Sequence, residues 1–163
     1  MKRGDLIPQK ILTAEEAARR VAQWRLLGKT IAFTNGVFDI LHPGHIFSLT
    51  QAAKEADMLI VGLNTDSSVR RLKGEQRPVN KQDSRALVLA SLQVVDLIVL
   101  FDEDTPLTLI NLLMPDVLVK GGDYTVEQVA GSKEVIAAGG RVVINPILEG
   151  HSTTGLIQAM KDL

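Results

Sequence analysis

Residues 34–45, TNGVFDILHPGH, follow a short apolar run and place two of the chain's three histidines three positions apart across a Pro-Gly pair. A strand that ends near Gly36 and a helix that begins near Gly44 predict a strand-turn-helix unit of a parallel sheet. The free amides at a helix N-terminus attract anions, and glycine lets the backbone approach a ligand closely. The stretch therefore predicts an anion site to which His42 and His45 donate.

On both sides of this stretch, short apolar runs alternate with segments of helical spacing. The apolar runs are rich in β-branched residues and too short for helices, which predicts buried strands at 30–34, 58–63, 96–101, 117–119 and 141–145. Helices are predicted at 44–56, 81–92, 105–113, 126–138 and 153–161. A capping-box pattern at Thr13 and Glu16 predicts a further helix of about fourteen residues before the first strand.

This alternation decides the predicted fold class. Strands joined by right-handed helical crossovers form a parallel sheet that is covered on both faces, which explains continuous apolar runs. We predict an α/β protein, a Rossmann-like three-layer α/β/α sandwich with a five-stranded parallel sheet. The length of 163 residues suits one domain, so residues 13–163 are predicted to form a single domain after an N-terminal tail at 1–12.

Composition and charge exclude several classes of function. The chain has no cysteine, so disulfides and thiolate metal sites are excluded. Its net charge of -1 gives no general attraction to nucleic acid or to membranes. No stretch approaches the ~20 apolar residues of a membrane span. These observations predict a soluble cytoplasmic protein without a nucleic-acid or membrane partner.

In open α/β sheets, ligands bind at the carboxyl ends of the strands, where the strand order reverses. The loops that follow the predicted strands, at 35–44, 64–81, 120–124 and 146–154, are rich in Gly, His, Lys, Asp and Ser or Thr. The second loop carries a cluster of cations that is either a solvated basic loop or a set of phosphate contacts. Its place at the ligand edge of the sheet favours phosphate contacts from Lys73 and Arg77 within the loop and from Arg85 on the next helix. The cluster comprises Arg70, Arg71, Lys73, Arg77, Lys81 and Arg85, against Glu75 and Asp83.

Two features allow more than one interpretation. Ser152, Thr153 and Thr154 precede the last predicted helix, where hydroxyls either cap the helix or bind phosphate, and three in a row favour phosphate. The two histidines could instead be unrelated polar residues, or could bind a metal together with Asp39. No HExxH pattern is present, and the position after the first strand beside two glycines favours phosphate binding.

The same stretch carries a resemblance to a known family. Residues 36–45, GVFDILHPGH, resemble the G-x-F-D-x-x-H-x-G-H motif of the cytidylyltransferase-like nucleotidyltransferases. Further segments resemble the adenylyltransferase module of ADP-heptose synthases, over a match that runs from about Thr13 to the C-terminus. These segments are NTD (64–66), RLKG (71–74), RPVN (77–80), TP (105–106), DVLVKGGDY (116–124), AGSK (130–133) and STT (152–154).

The resemblance implies an HxGH-type fold and an activity. It implies transfer of AMP from ATP to D-glycero-β-D-manno-heptose 1-phosphate, giving ADP-heptose and pyrophosphate for the lipopolysaccharide inner core. Such modules are often fused to a sugar kinase, and because these residues contain no kinase the resemblance implies the stand-alone enzyme. Mg²⁺ is expected to accompany ATP, with no metal ligand from the protein, and a homodimer is expected.

The predicted site combines the residue patterns with the resemblance. Asp39 either holds a loop amide or recruits a cation, and Asp66 is either a helix N-cap or a substrate contact. Expected catalytic residues are His42, His45 and Lys73. Expected nucleotide or phosphate contacts are Asn35, Gly36, Val37, Phe38, Gly44, Arg85, Ser152, Thr153 and Thr154. Expected substrate contacts are Asp39, Asn64, Asp66, Arg77, Lys120, Gly121 and Asp123.

Three alternatives stay open at this point. A cytidylyltransferase acting on a polyol phosphate such as glycerol 3-phosphate would use the same HxGH chemistry. A regulatory module could bind ATP without turnover. A metal-dependent hydrolase would use Asp39, His42 and His45 as ligands.

Overall fold

A computed structural model describes residues 4–146, 148, 150 and 153–161 as alternating strands and helices. The strands are β1 (Ile11–Leu12), β2 (Ile31–Gly36), β3 (Met58–Asn64), β4 (Leu97–Phe101), β5 (Val117–Gly121) and β6 (Arg141–Asn145). The helices are α1 (Ala14–Leu26), α2 (Pro43–Ala53), α3 (Asp66–Lys73), α4 (Gln82–Ala90), α5 (Leu107–Leu113), α6 (Ser132–Ala137) and α7 (Thr153–Lys161).

The six strands form one parallel sheet in the order β1-β4-β3-β2-β5-β6. From β2 the chain builds outward through β3 to β4, and it then returns to add β5 and β6 on the other side. The order therefore reverses between β2 and β5, whose register pairs Ala32 with Val117 and Phe33 with Leu118. The predicted Rossmann-like class is confirmed, and the carboxyl ends of β2 and β5 flank the crevice where such folds bind ligands.

Within the described residues the sheet has six strands, and the prediction of five is wrong in this detail. β1 has only two residues, which pair with Ile98 and Val99 of β4 at the edge of the sheet. Two residues carry no readable alternation, so the sequence predicts no strand there and only an N-terminal tail at 1–12. The side chain of Lys10 also reaches the body of the protein, where Nζ donates to the carbonyls of Leu92 and Val95 at 3.2 and 2.7 Å.

Helices bury both faces of the sheet. Successive strand residues point to opposite faces, so neighbouring residues of one strand belong to different clusters. Phe33, Ile60 and Leu118 pack with side chains of α1, α5 and α6. Ala32, Val61 and Val119 pack with side chains of α2 and α4 on the other face. This double covering accounts for the continuous apolar character of the strands.

Helix α3 was not predicted, since residues 64–81 read as one loop. Its sequence, DSSVRRLK, contains a single buried apolar residue, Val69, so it lacks a hydrophobic stripe. Thr65 is the N-cap and accepts from the backbone N–H of Ser68 at 3.2 Å. Asp66 is thus the first helical residue rather than the cap, and the helix ends at Gly74, which has a φ of 94°.

Two other predicted helices begin or end differently. The helix predicted at 105–113 begins at Leu107, with Pro106 at the N-cap position and no side-chain cap. Asp104, which precedes the predicted start of this helix, accepts from Nε of Arg71 at 3.0 Å. The helix predicted at 126–138 consists of a 3-10 turn, Val126–Gln128, followed by α6.

The break between that turn and α6 lies at Gly131, which has a φ of 85°. A Cβ at this position would lie 2.8 Å from Cγ2 of Ile110, so both the backbone and the packing require glycine. By contrast, the capping box of Thr13 and Glu16 at the start of α1 is confirmed.

Candidate active site

The turn from β2 to α2 is tightly packed. Phe38 has a φ of 46°, in the left-handed region that bulky residues rarely adopt. Its ring lies over Gly36, where a Cβ would approach Phe38 Cε2 to 2.9 Å, so only glycine leaves room for the ring. Backbone conformations of this kind persist where the surrounding structure enforces them, and they cluster at functional sites.

The two predicted histidines lie together at the start of α2. His42 is the N-cap residue, and His45 lies in the first turn of the helix. Their rings stack with centroids 3.8 Å apart and an interplanar angle of 24°. The ring of Phe38 packs against His45 edge-on, at 5.2 Å between centroids. The pair is therefore held beside the free amides of a helix N-terminus, as an anion site requires.

The environment of His45 keeps its imidazole neutral. Burial lowers the pKa of His45 to about 4, the charge of the neighbouring His42 acts in the same direction, and the nearby carbonyl of Ile40 opposes both. At neutral pH the ring can therefore donate an N–H without carrying a fixed charge.

Three cavities meet at His45, and we name each by its position. The central cavity, about 190 Å³, lies between the ends of β2 and β5 and is lined by Asn35, Gly36, Val37, His45, Lys120 and Gly121 among others. The α2 cavity, about 240 Å³, is lined by His42, Gly44, His45, Ser48, Gly121, Pro146 and Leu148. The cationic cavity, about 270 Å³, is lined by Val37, Phe38, Asp39, His45, Lys73, Arg77, Thr153 and Thr154.

Asp39 holds the loop at 77–80 in place. Its buried carboxylate accepts from Nε of Arg77 at 2.7 Å and from the backbone amides of Val79 and Asn80 at 2.9 and 2.8 Å. Burial alone would raise the pKa of Asp39, but the amides of Asn80 and Val79 and the Arg77 side chain outweigh it, so the pKa lies below its usual range. Asp39 thus fixes Arg77 at the rim of the cationic cavity.

Arg85 is buried, so the structure does not show the phosphate contact predicted for it. The residue is only 2% exposed and lines none of the three cavities. Its guanidinium donates to the carbonyls of Val37 and Asn80 at 2.6 and 3.0 Å, and to the carboxylate of Asp66 at 2.9 Å. Arg85 therefore joins the turn after β2, the 77–80 loop and α3 from beneath.

Other predicted contacts also lie away from these cavities. Asn64 is buried, and its amide donates to Oγ of Ser68 at 3.0 Å. Asp66 is paired with Arg85 at 2.9 Å. Asp123 is exposed and lines none of the three cavities. Ser152 lies outside the described residues.

Lys73 and Lys120 give the site its positive charge. Lys73 is the last residue of α3, and Lys120 lies near the end of β5. Burial lowers the pKa of Lys120, and the neighbouring charge of Lys73 lowers it further. Neither lysine forms an ion pair with any described residue. Two adjacent cations without a carboxylate partner favour an anionic ligand.

Sequence reasoning missed several lining residues. Ser48 lies one turn after His45 and contributes to both the α2 and central cavities, and its i+3 spacing from His45 is a signal that could have found it. Thr105 and Tyr124 line a further cavity beyond Lys120. Both fall within segments that carry the family resemblance.

The donor set does not fit a resident metal ion. Among the described residues, no group of three His, Cys, Asp or Glu side chains could hold one. The carboxylate of Asp39 already accepts three protein hydrogen bonds, which turn it toward the 77–80 loop. Within the same residues, no helix combines the length and the apolar character needed to cross a membrane.

A parallel sheet whose order reverses at β2, with a histidine pair and two lysines above the reversal point, defines a nucleotidyltransferase of the HxGH type. The sequence profile of the cytidylyltransferase-like family matches residues 33–159. The chain belongs to that family, and the prediction of a nucleotidyltransferase is confirmed.

Curated relatives match most of the chain at more than 50% identity. The chain is 59% identical over 151 residues to the bifunctional protein HldE of Caulobacter vibrioides, covering 93% of this chain and 31% of that protein. It is 56% identical over 163 residues to HldE of Rhodopseudomonas palustris, covering 95% and 33%. The chain thus spans about a third of the length of these curated relatives.

Solved structures agree with the fold. A lipopolysaccharide core biosynthesis protein from Thermoplasma volcanium matches with a TM-score of 0.62 and 30% identity, over 76% of this chain and 100% of that one. A pantoate-beta-alanine ligase from Francisella tularensis matches with a TM-score of 0.60 at 17% identity, over 93% and 76%, and supports the fold alone.

Proposed function

We propose that the chain transfers AMP from ATP to D-glycero-β-D-manno-heptose 1-phosphate, giving ADP-heptose and pyrophosphate for the lipopolysaccharide inner core. The observation that carries the proposal is the stacked pair of His42 and His45 at the start of α2, beside the reversal point of the sheet. The family and the relatives named HldE support the nucleotidyl transfer. The motif resemblance and the likeness to a lipopolysaccharide core biosynthesis protein support the sugar.

The proposed reaction needs no protein nucleophile. A sugar phosphate is already an anion at neutral pH, so its oxygen attacks the α-phosphorus directly and pyrophosphate leaves. The chain's task is to bring two polyanions together and to stabilise the charge that moves onto the leaving group. A site with unpaired lysines, the neutral imidazole of His45 and helix amides supplies what this task requires.

The cavities suggest where the ATP lies. We place its α-phosphate in the central cavity, where His45 and the N-terminus of α2 donate to it. The departing pyrophosphate would occupy the cationic cavity, against Lys73, Arg77 and the Thr153 and Thr154 hydroxyls. Mg²⁺ would arrive bound to the ATP phosphates, since it needs few protein ligands there.

Substrate identity is tested by incubating the protein with Mg²⁺, either ATP or CTP, and either heptose 1-phosphate or glycerol 3-phosphate. We expect the mass of ADP-heptose with the first pair and no comparable product with the others. CDP-glycerol as the main product would establish the cytidylyltransferase alternative. ATP binding without pyrophosphate release from any acceptor would establish a regulatory module.

The setting of the reaction is also proposed. We place the protein in the cytoplasm, where ATP is available, and we propose a homodimer as the resemblance implies. Sedimentation velocity of the purified chain tests the second point: a single species at monomer mass across the working concentration range would contradict it.

A further inference from the structure

We propose that the acceptor sugar phosphate binds in a fourth cavity beyond Lys120, with Lys120 holding its phosphate and the hydroxyls of Thr105 and Tyr124 contacting the sugar. We name this the Tyr124 cavity. The proposal rests on the proposed function, because it assigns a subsite to the acceptor of that reaction.

The Tyr124 cavity lies between the loop after β4 and the loop after β5. Its volume is about 140 Å³, and its lining includes Asn35, Thr105, Pro106, Lys120, Tyr124 and Gln128. Asn35 and Lys120 also line the central cavity. The two cavities therefore lie next to each other on either side of Lys120, and this lysine can contact a ligand in each of them.

The order of the cavities fits an in-line displacement. The attacking and leaving oxygens lie on opposite sides of the phosphorus in such a reaction. The central cavity shares Val37, Phe38 and His45 with the cationic cavity. It shares Asn35 and Lys120 with the Tyr124 cavity. Among the residues that the structure describes, the cationic and Tyr124 cavities share no lining residue. With the α-phosphate in the middle, pyrophosphate leaves on one side and the acceptor enters from the other.

The positive charge of Lys120 suits the phosphate group of the acceptor. The Lys120 ammonium is partly buried at the junction of the two cavities and has no carboxylate partner among the described residues. It lies 5.3 Å from the centroid of the Tyr124 ring. A phosphate held there would neutralise the lysine and place its oxygen next to the central cavity.

The polar groups that line the Tyr124 cavity suit the sugar part of the acceptor. Within the part of the chain that the structure describes, the side-chain hydroxyls of Thr105 and Tyr124 have no hydrogen-bond partner. Two neighbours are already engaged: Asp104 accepts from Arg71 at 3.0 Å, and Gln128 accepts from the amide of Thr125 at 2.9 Å. Free hydroxyls beside a cation suit a polyhydroxylated anion, and a few placed polar groups commonly fix the orientation of such a ligand.

The test removes each hydroxyl and keeps the shape of the side chain. In Thr105→Val and Tyr124→Phe, we expect the KM for heptose 1-phosphate to rise about fivefold each, and about 25-fold together, because each loses one hydrogen bond. The KM for ATP should stay within about twofold, since no contact to the nucleotide is lost. The control is Thr108→Val, another exposed threonine of the same region that lines none of the four cavities.

Calorimetry separates this proposal from the proposed function. Heptose 1-phosphate is titrated into wild type and variants in the presence of α,β-methylene ATP, whose P–C bond cannot be broken, so that no transfer occurs. Weaker sugar phosphate binding in both variants but not in the control supports the subsite, whether or not wild type turns over. Unchanged affinity and KM in the double variant, equal rises for both substrates, or no binding to wild type would overturn it. Binding without ADP-heptose formation would contradict only the proposed function.

Discussion

At the scale of single residues, His45 combines partial burial with a proposed role in anion binding. A permanently charged side chain at this position would be costly to desolvate before the ligand arrives. The neutral ring avoids that cost and still presents a donor. An incoming polyphosphate stabilises the protonated form, so the ring becomes more basic only when the charge that it must balance is present.

The lowered pKa of His45 predicts a pH dependence of stability. An unfolded imidazole takes up its proton near pH 6.5, whereas the folded ring does so only at about 4. Between these values the unfolded state binds more protons, so acidification favours unfolding. From about pH 7 to about pH 4.5, wild type should lose roughly 1 to 2 kcal/mol more stability than His45→Gln, a figure reduced because the ring is not fully buried.

Urea unfolding of both proteins at the two pH values measures this difference. All other titrating groups are common to the two proteins, so the comparison isolates the imidazole. Parallel losses in wild type and variant would show that the pKa of His45 is not lowered in the folded protein.

Asp39 acts on the site through the loop that it holds. In Asp39→Asn, a buried acceptor is replaced partly by a donor that faces Arg77 and two amides, so we expect a loss of about 3 kcal/mol in the free energy of unfolding. Because Arg77 loses its anchor, kcat/KM should fall at least about tenfold. Calorimetric melting and steady-state kinetics measure the two effects.

The matched control for Asp39 is Asp57→Asn. Asp57 is exposed and accepts from Lys29 and Thr30, and such exposed pairs contribute only about 1 kcal/mol or less. Equal stability losses at the two positions would contradict the assigned role of Asp39.

At the scale of elements, what the sequence revealed depends on how much apolar surface each element buries. Strands β2 to β6 were predicted because both of their faces are covered and their apolar runs are continuous. Helix α3 was missed because Val69 is its only buried apolar residue, and β1 was missed because two residues show no pattern. Short or polar elements are fixed by tertiary contacts, which single-sequence patterns do not record.

The edge strand β1 owes part of its position to Lys10. The ammonium bonds to the carbonyls of Leu92 and Val95, just beyond α4, at 3.2 and 2.7 Å. Lys10→Met should therefore lower the free energy of unfolding by about 1 to 2 kcal/mol, as expected for hydrogen bonds to a charged group. Lys54→Met, at an exposed lysine without such bonds, should cost less than about 0.5 kcal/mol.

Urea unfolding compares the two lysine variants. Both should keep wild-type kcat/KM, because neither residue lines a cavity of the site. A Lys10 variant as stable as the Lys54 variant would show that the edge strand does not depend on this contact.

At the scale of the whole molecule, local sequence spacing predicted the centre of the candidate site. The residues that support this centre are identified only by contacts between segments distant in sequence. His42 and His45 belong to one turn, so their proximity follows from sequence spacing. The role of Arg85 depends on Val37, Asp66 and Asn80, which come from three separate segments. No spacing rule connects those segments in the sequence. The sequence therefore predicted a phosphate contact for Arg85 together with the other cations of the cluster.

In the proposed reaction a triphosphate lies across the reversal point of the sheet, pyrophosphate leaves toward Lys73, and the acceptor enters past Lys120. His45 touches every cavity on that path except the Tyr124 cavity. The central claim is that its imidazole stabilises the departing charge.

Single-turnover pyrophosphate release in His45→Ala tests that claim most directly. The fold of the variant is checked by circular dichroism, and Thr50→Ala on the same helix is the control. We expect the rate to fall roughly 10²- to 10³-fold, as for loss of one preorganised donor, while the Kd for ATP changes much less. A rate within a few fold of wild type in a folded variant would contradict the account.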